Sequence, residues 1–123
     1  MSKFVTAVSL AVLAAAYSAG ASAAGDAAEG QKKANAVCIA CHATGAAGSA
    51  DWTKPLQPEY PVLAGQHADY LVTALNEYKL GSKTVIGRKN AIMAGQAGAL
   101  SKKEIEDLAA FFSGLHGPLH VKR

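Results

Sequence analysis

Cys38-Ile39-Ala40-Cys41-His42 is the stretch on which the reading of this chain turns. Two thiols stand with two residues between them, and an imidazole follows directly. No other cysteine occurs in the 123 residues. A structural zinc takes four ligands, commonly two such pairs, and His67, His116 and His120 form no standard pair with these thiols. A disulfide between Cys38 and Cys41 would close a very small loop and add little stability. A thioredoxin-like dithiol shares the spacing but belongs with a βαβ pattern, and no convincing strand pattern appears here.

The favoured reading, on the motif together with a leader over residues 1–23, is covalent attachment of one haem c. Two thiols add across the two vinyl groups of haem and form thioethers. Two intervening residues let both sulfurs reach the same porphyrin edge. His42 then falls under the iron and becomes its proximal ligand.

The sixth iron ligand separates an electron carrier from a ligand binder. Once Met1 is lost with a leader, Met93 is the remaining methionine. A lone Met usually fills core gaps. Met93, however, is expected in a Gly-rich loop with small neighbours Ala91, Ala94 and Gly95, well separated from His42. It is therefore the candidate axial ligand, in the Met/His mode of c-type cytochromes. The rivals are His67, His116 and His120, each readable as a solvated or capping residue; His116 near a helix C-terminus is favoured by the helix dipole alone.

Outward from this motif, the N-terminus reads as a secretory leader over residues 1–23. Lys3 supplies a positive start, Phe4 to Ala16 is uncharged and mostly apolar, and Ala21-Ser22-Ala23 gives a small-residue cleavage pattern. The apolar run is short for a membrane span of about 20 residues; a retained anchor is the alternative. The expected mature domain is residues 24–123. The net charge of +3 becomes +2 without Lys3, since the leader holds no acid. That is far from a nucleic-acid binder. A domain of this size, rich in Ala and Gly, has few large hydrophobes for a core, and a haem would supply apolar mass.

Three helices are predicted and no strands, so the fold class is all-α. The first starts near Asp26, with Glu29 three residues on, and runs toward Cys38. The second runs from about Gln66 to Leu80, with Tyr70, Leu71, Ala74, Leu75 and Tyr78 on one face and Gly81 as its stop. The third opens on the capping pair Ser101 and Glu104 and carries Ile105, Leu108, Phe112 and Leu115 as its apolar stripe; Gly114 or Gly117 ends it before Pro118. Residues 43–65 and 81–100 are expected as long loops, a length that usually signals function.

In this order of elements the chain resembles the class I cytochrome c family, of the small bacterial periplasmic kind. The resemblance rests on the Cys38–His42 motif, on Pro61-Val62-Leu63-Ala64-Gly65-Gln66, on Tyr70-Leu71 and on Leu108-Ala109-Ala110-Phe111-Phe112. It implies three main helices and loops wrapped around one haem. It implies that the Pro61 carbonyl accepts a hydrogen bond from His42, which orients the ring and raises its basicity. It implies a crossing of the first and last helices at Gly30, packed by Phe111. Trp52, Tyr70 and Tyr78 are candidates for haem-wall or propionate contacts, or plain core.

The function this implies is outer-sphere transfer of single electrons in the periplasm, without enzymatic turnover. The expected partners are redox proteins that dock briefly at the haem edge, with the chain a monomer or weak dimer, no nucleic acid and no stable membrane span. Lys54, Lys79, Lys83, Arg88 and Lys89 lie in or beside the two loops and form a candidate basic rim that steers acidic partners; scattered solubilising charge is the alternative. Three other readings stay open: the electron-accepting haem subunit of a dehydrogenase or oxidase complex, a haem sensor if Met93 does not ligate, and a non-haem thiol protein.

Overall fold

The computed structural model describes residues 25–119. The leader and His120 lie outside this range. Among the described residues there are five α-helices: α1 (Ala27–Lys33), α2 (Ile39–His42), α3 (Ala68–Leu80), α4 (Ala91–Gly98) and α5 (Lys102–Gly114). Among the described residues β-structure is limited to one isolated bridge, Thr44 with Asp51. The all-α expectation holds.

Local chemistry explains each helix start. The Asp26 carboxylate accepts the Ala28 and Glu29 backbone N–H groups and caps α1. Ser101 and Glu104 form a reciprocal capping box on α5, at 3.1 and 2.7 Å. α3 ends where Gly81 turns to φ +52, the stop expected for it.

α1 and α2 form one continuous helical run joined by a π-helical turn over Ala34–Cys38, so the first helix extends through the thiols to His42. In that turn the Ile39 N–H reaches back five residues to the Ala34 carbonyl. Such wide turns rotate every following side chain about the helix axis and recur at functional sites.

The segment 81–100 is a correction. Its spacing of glycines reads as a loop, yet it contains a 3₁₀ turn over Gly81–Lys83 and the eight-residue helix α4. Asn90 provides the missing start signal, because its side chain caps α4. Met93 therefore lies on a helix and not in a loop.

α5 is the spine of the core. Its Ile105, Leu108, Ala109, Phe111 and Phe112 are buried together with Leu71 of α3, Ala34, Ala64, Trp52 and Leu100. α1 crosses α5 at Gly30, where a Cβ would collide with the Asp107 carbonyl oxygen and lie 2.9 Å from the Phe111 Cβ. α3 packs on α5, and α4 packs on α3. Of the predicted α3 face, Leu71 and Ala74 are buried, Leu75 and Tyr78 half-buried, and Tyr70 is exposed. No helix among the described residues is long and apolar enough to cross a membrane.

Residues 43–60 form a tied-down loop. Thr44 and Asp51 exchange backbone hydrogen bonds, and the Leu56 N–H donates to the Cys41 carbonyl at 3.0 Å. Gly45 and Gly48 take φ of +94 and +92, where a side chain would be strained. This geometry delivers Trp52 to the core.

Candidate haem site

The π-helical turn and α2 present the site's thiols and imidazole from one rigid segment. Cys38 and Cys41 are free and half-buried. Burial pushes the Cys38 thiol up to about 11, against a smaller opposing pull from Lys33. The thiol is therefore protonated near neutral pH.

His42 is 6% exposed, and its Nδ1 lies 2.9 Å from the Pro61 carbonyl oxygen. A carbonyl can only accept, so the neutral ring carries its proton on Nδ1 and its lone pair on Nε2. The Tyr60 ring stands 6.2 Å from the imidazole at 53°. Tyr60 was not singled out from sequence; its place beside Pro61 in the chain was the available signal.

Met93 is half-buried in the first turn of α4. Its backbone N–H donates to the Asn90 side chain at 3.0 Å. Asn90 is a second residue that sequence reasoning missed, although an Asn three positions before Met93 is a legible cap.

The aromatic candidates part company. Trp52 packs edge-on against Phe111 and Phe112, with centroids 5.8 and 5.1 Å away, and belongs to the core. Tyr70 and Tyr78 instead meet the Arg88 guanidinium at 5.3 and 5.4 Å.

The candidate basic rim is largely paired. Arg88 bonds Glu77 at 2.6 Å, Lys54 bonds Asp51 at 3.0 Å, and Lys79 donates to the Leu100 carbonyl. Among the described residues Lys83 and Lys89 are exposed and make no ion pair. His67 begins α3 and is exposed, as is His116 beyond the end of α5.

The donor set suits an iron porphyrin. Two thiols three residues apart on one helical run would be the groups to hold one macrocycle edge. The next residue offers an imidazole already oriented through Nδ1. A thioether, soft and neutral, sits on a separate helix. No cluster of three or more His, Cys, Asp or Glu among the described residues is arranged to hold a metal ion directly, as a zinc site would require.

Comparison with known proteins agrees with this chemistry. The cytochrome c family pattern matches residues 27–116. The chain is 43% identical over 101 residues to cytochrome c4 of Stutzerimonas stutzeri, covering 79% of this chain and 44% of that protein. It is 40% identical over 90 residues to cytochrome c-554(548) of Halomonas halodenitrificans, covering 73% of this chain and 96% of that one. The crystal structure of reduced recombinant cytochrome c4 from Pseudomonas stutzeri superposes with a TM-score of 0.63 at 39% identity, over 76% of this chain and 47% of that one. The chain thus spans less than half the length of the c4 proteins it matches. With a whole-domain family match and a shared fold, the chain belongs to the cytochrome c family, whose members carry a covalently bound haem c with its iron.

Proposed function

We propose that this haem-based electron carrier works in the periplasm with its haem held by Cys38 and Cys41 and its iron by His42 and Met93. The observation that carries the reading is the His42 imidazole, buried and bound through Nδ1 to the Pro61 carbonyl, directly after the second thiol. Its Nε2 is the nitrogen with a lone pair to give. When bound, the haem supplies an iron that alternates between ferrous and ferric states. Cys38 and Cys41 would fix one macrocycle edge to the α1–α2 run. The Met93 thioether would hold the same iron as His42, so that the protein's own side chains take the places a substrate would need. That supports a carrier over an enzyme. A thioether ligand favours the reduced state.

The leader over residues 1–23 supports a periplasmic location for the mature domain, 24–123, because haem c is attached outside the bacterial cytoplasm. Exposed Lys83 and Lys89 support brief docking of acidic redox partners, weakened by salt.

The test is the absorption spectrum of the oxidised full-length protein, matured with a haem-attachment system, beside Met93→Ala. A weak long-wavelength sulfur-to-iron band in the parent, lost in the variant, is expected. Haem without that band in the parent would overturn Met93 ligation and favour a sensor or a histidine-ligated protein.

A further inference from the structure

Met93 rides on a short helix that contacts the rest of the fold chiefly through α3. The segment leading into it would otherwise be loose: Val85 is 98% and Ile86 67% exposed. Three consecutive features pin it just before Met93. Gly87 approaches Gly81 so closely that a Cβ would collide with the Gly81 carbonyl oxygen. Arg88 is fastened twice to one residue of α3. Its backbone N–H donates to the Glu77 carbonyl at 3.0 Å, and its Nε donates to the Glu77 carboxylate at 2.6 Å. Its guanidinium also lies against both Tyr70 and Tyr78 and donates to the Tyr70 hydroxyl at 3.3 Å. Asn90 then caps α4 through the Met93 backbone N–H itself.

A planar fork bonded to a carboxylate and lying over two aromatic rings is held by contacts that a lysine cannot reproduce together. The Arg88 and Glu77 side chains are only 33% and 31% exposed, so water screens the pair less than it would a surface bridge. Met is flexible, with three rotatable bonds. Its hold on a distant atom therefore depends on how firmly its backbone is placed.

We propose that Arg88 and Asn90 are positioning residues for Met93: Arg88 clamps the entering segment to α3, Asn90 sets the first turn of α4, and together they govern how readily the thioether yields the iron. This rests on the reading of Met93 as the sixth ligand. Arg88 accordingly works inward, not as part of a docking rim.

The test titrates oxidised holoprotein with imidazole, which competes with the thioether, and follows loss of the sulfur-to-iron band; midpoint potentials are recorded alongside. Arg88→Met and Asn90→Ala are each expected to take up imidazole about five- to tenfold more readily, a change on the scale of losing one helix cap. Asn90→Ser, which can still cap, should behave as the parent. Lys33→Met, which breaks the Lys33–Glu104 pair between α1 and α5, should lose stability without changing imidazole uptake. Parent-like uptake in both Arg88→Met and Asn90→Ala would overturn the proposal. So would Lys33→Met shifting uptake as far as they do, since that is general loosening. Should Arg88→Met not fold, the contrast between Asn90→Ala and Asn90→Ser decides. A parent without the sulfur-to-iron band refutes the ligand assignment itself, and the positioning role with it.

Discussion

The Pro61 carbonyl oxygen lies 2.9 Å from Nδ1 of His42, and a proline holds that carbonyl in place with its fixed φ. The Nδ1 proton should therefore exchange slowly with solvent. Nitrogen-edited NMR of histidine-labelled holoprotein is expected to show it at neutral pH. Pro61→Gly keeps the carbonyl but frees its direction, and exchange should quicken by about tenfold, the scale of one net hydrogen bond.

Gly30 and Asp107 meet backbone to backbone where α1 crosses α5. Alanine at position 30 gains helix propensity of about 1 kcal/mol but drives its Cβ into the Asp107 carbonyl oxygen. Helices cannot separate at one point without opening the packed core around Phe111. Overpacking of this kind costs about 1–3 kcal/mol. Gly30→Ala is expected to melt about 4–8 °C below the parent in a thermal scan, the net of these two terms; a raised midpoint would refute the close crossing.

Trp52 gives the loop over residues 43–60 its structural purpose. Its ring closes one side of the Phe111–Phe112 cluster and is 6% exposed. Trp52→Ala should cost about 3–5 kcal/mol by chemical denaturation, the usual loss for a buried large aromatic. Amide exchange should rise across the Thr44–Asp51 bridge, because the loop loses its anchor. Trp52→Phe should recover much of both.

Acid should loosen the α1–α5 contact. Glu104, bound by Lys33 of α1 and by the Ser101 backbone N–H, is lowered to about 2. Asp107 is also lowered, by Lys103 and by the Asp26 backbone N–H that it accepts at 2.7 Å. A carboxyl whose folded value is depressed stabilises the fold above its unfolded value, about 4, and loses that contribution as pH falls through the folded value. The melting midpoint should thus fall steadily from about pH 5 toward pH 2. Glu104→Gln should flatten that slope while lowering the midpoint at pH 7.

Much of this was legible in the residues themselves. Cys38, Cys41 and His42 suggest the proposed haem attachment because that chemistry needs those atoms at that local spacing, and one helical run supplies it. Ser101 with Glu104, Asp26, and the stripe Ile105, Leu108 and Phe112 set α1 and α5 for the same reason: capping and amphipathic burial act within a few residues. The tertiary structure decided whatever depends on residues far apart in the chain. Met93 reads as a loop residue because Gly95 and Gly98 weaken the local helix signal, yet capping by Asn90 and packing on α3 make α4. Arg88 reads as a free surface charge because Glu77, Tyr70 and Tyr78, its partners, stand on a different element. Trp52 reads equally as a haem-wall aromatic or as core until the loop folds back and Phe111 and Phe112 claim it. Local spacing determined the helix ends and suggested the proposed chemistry; long-range packing determined which side chains join the core and which pair across elements.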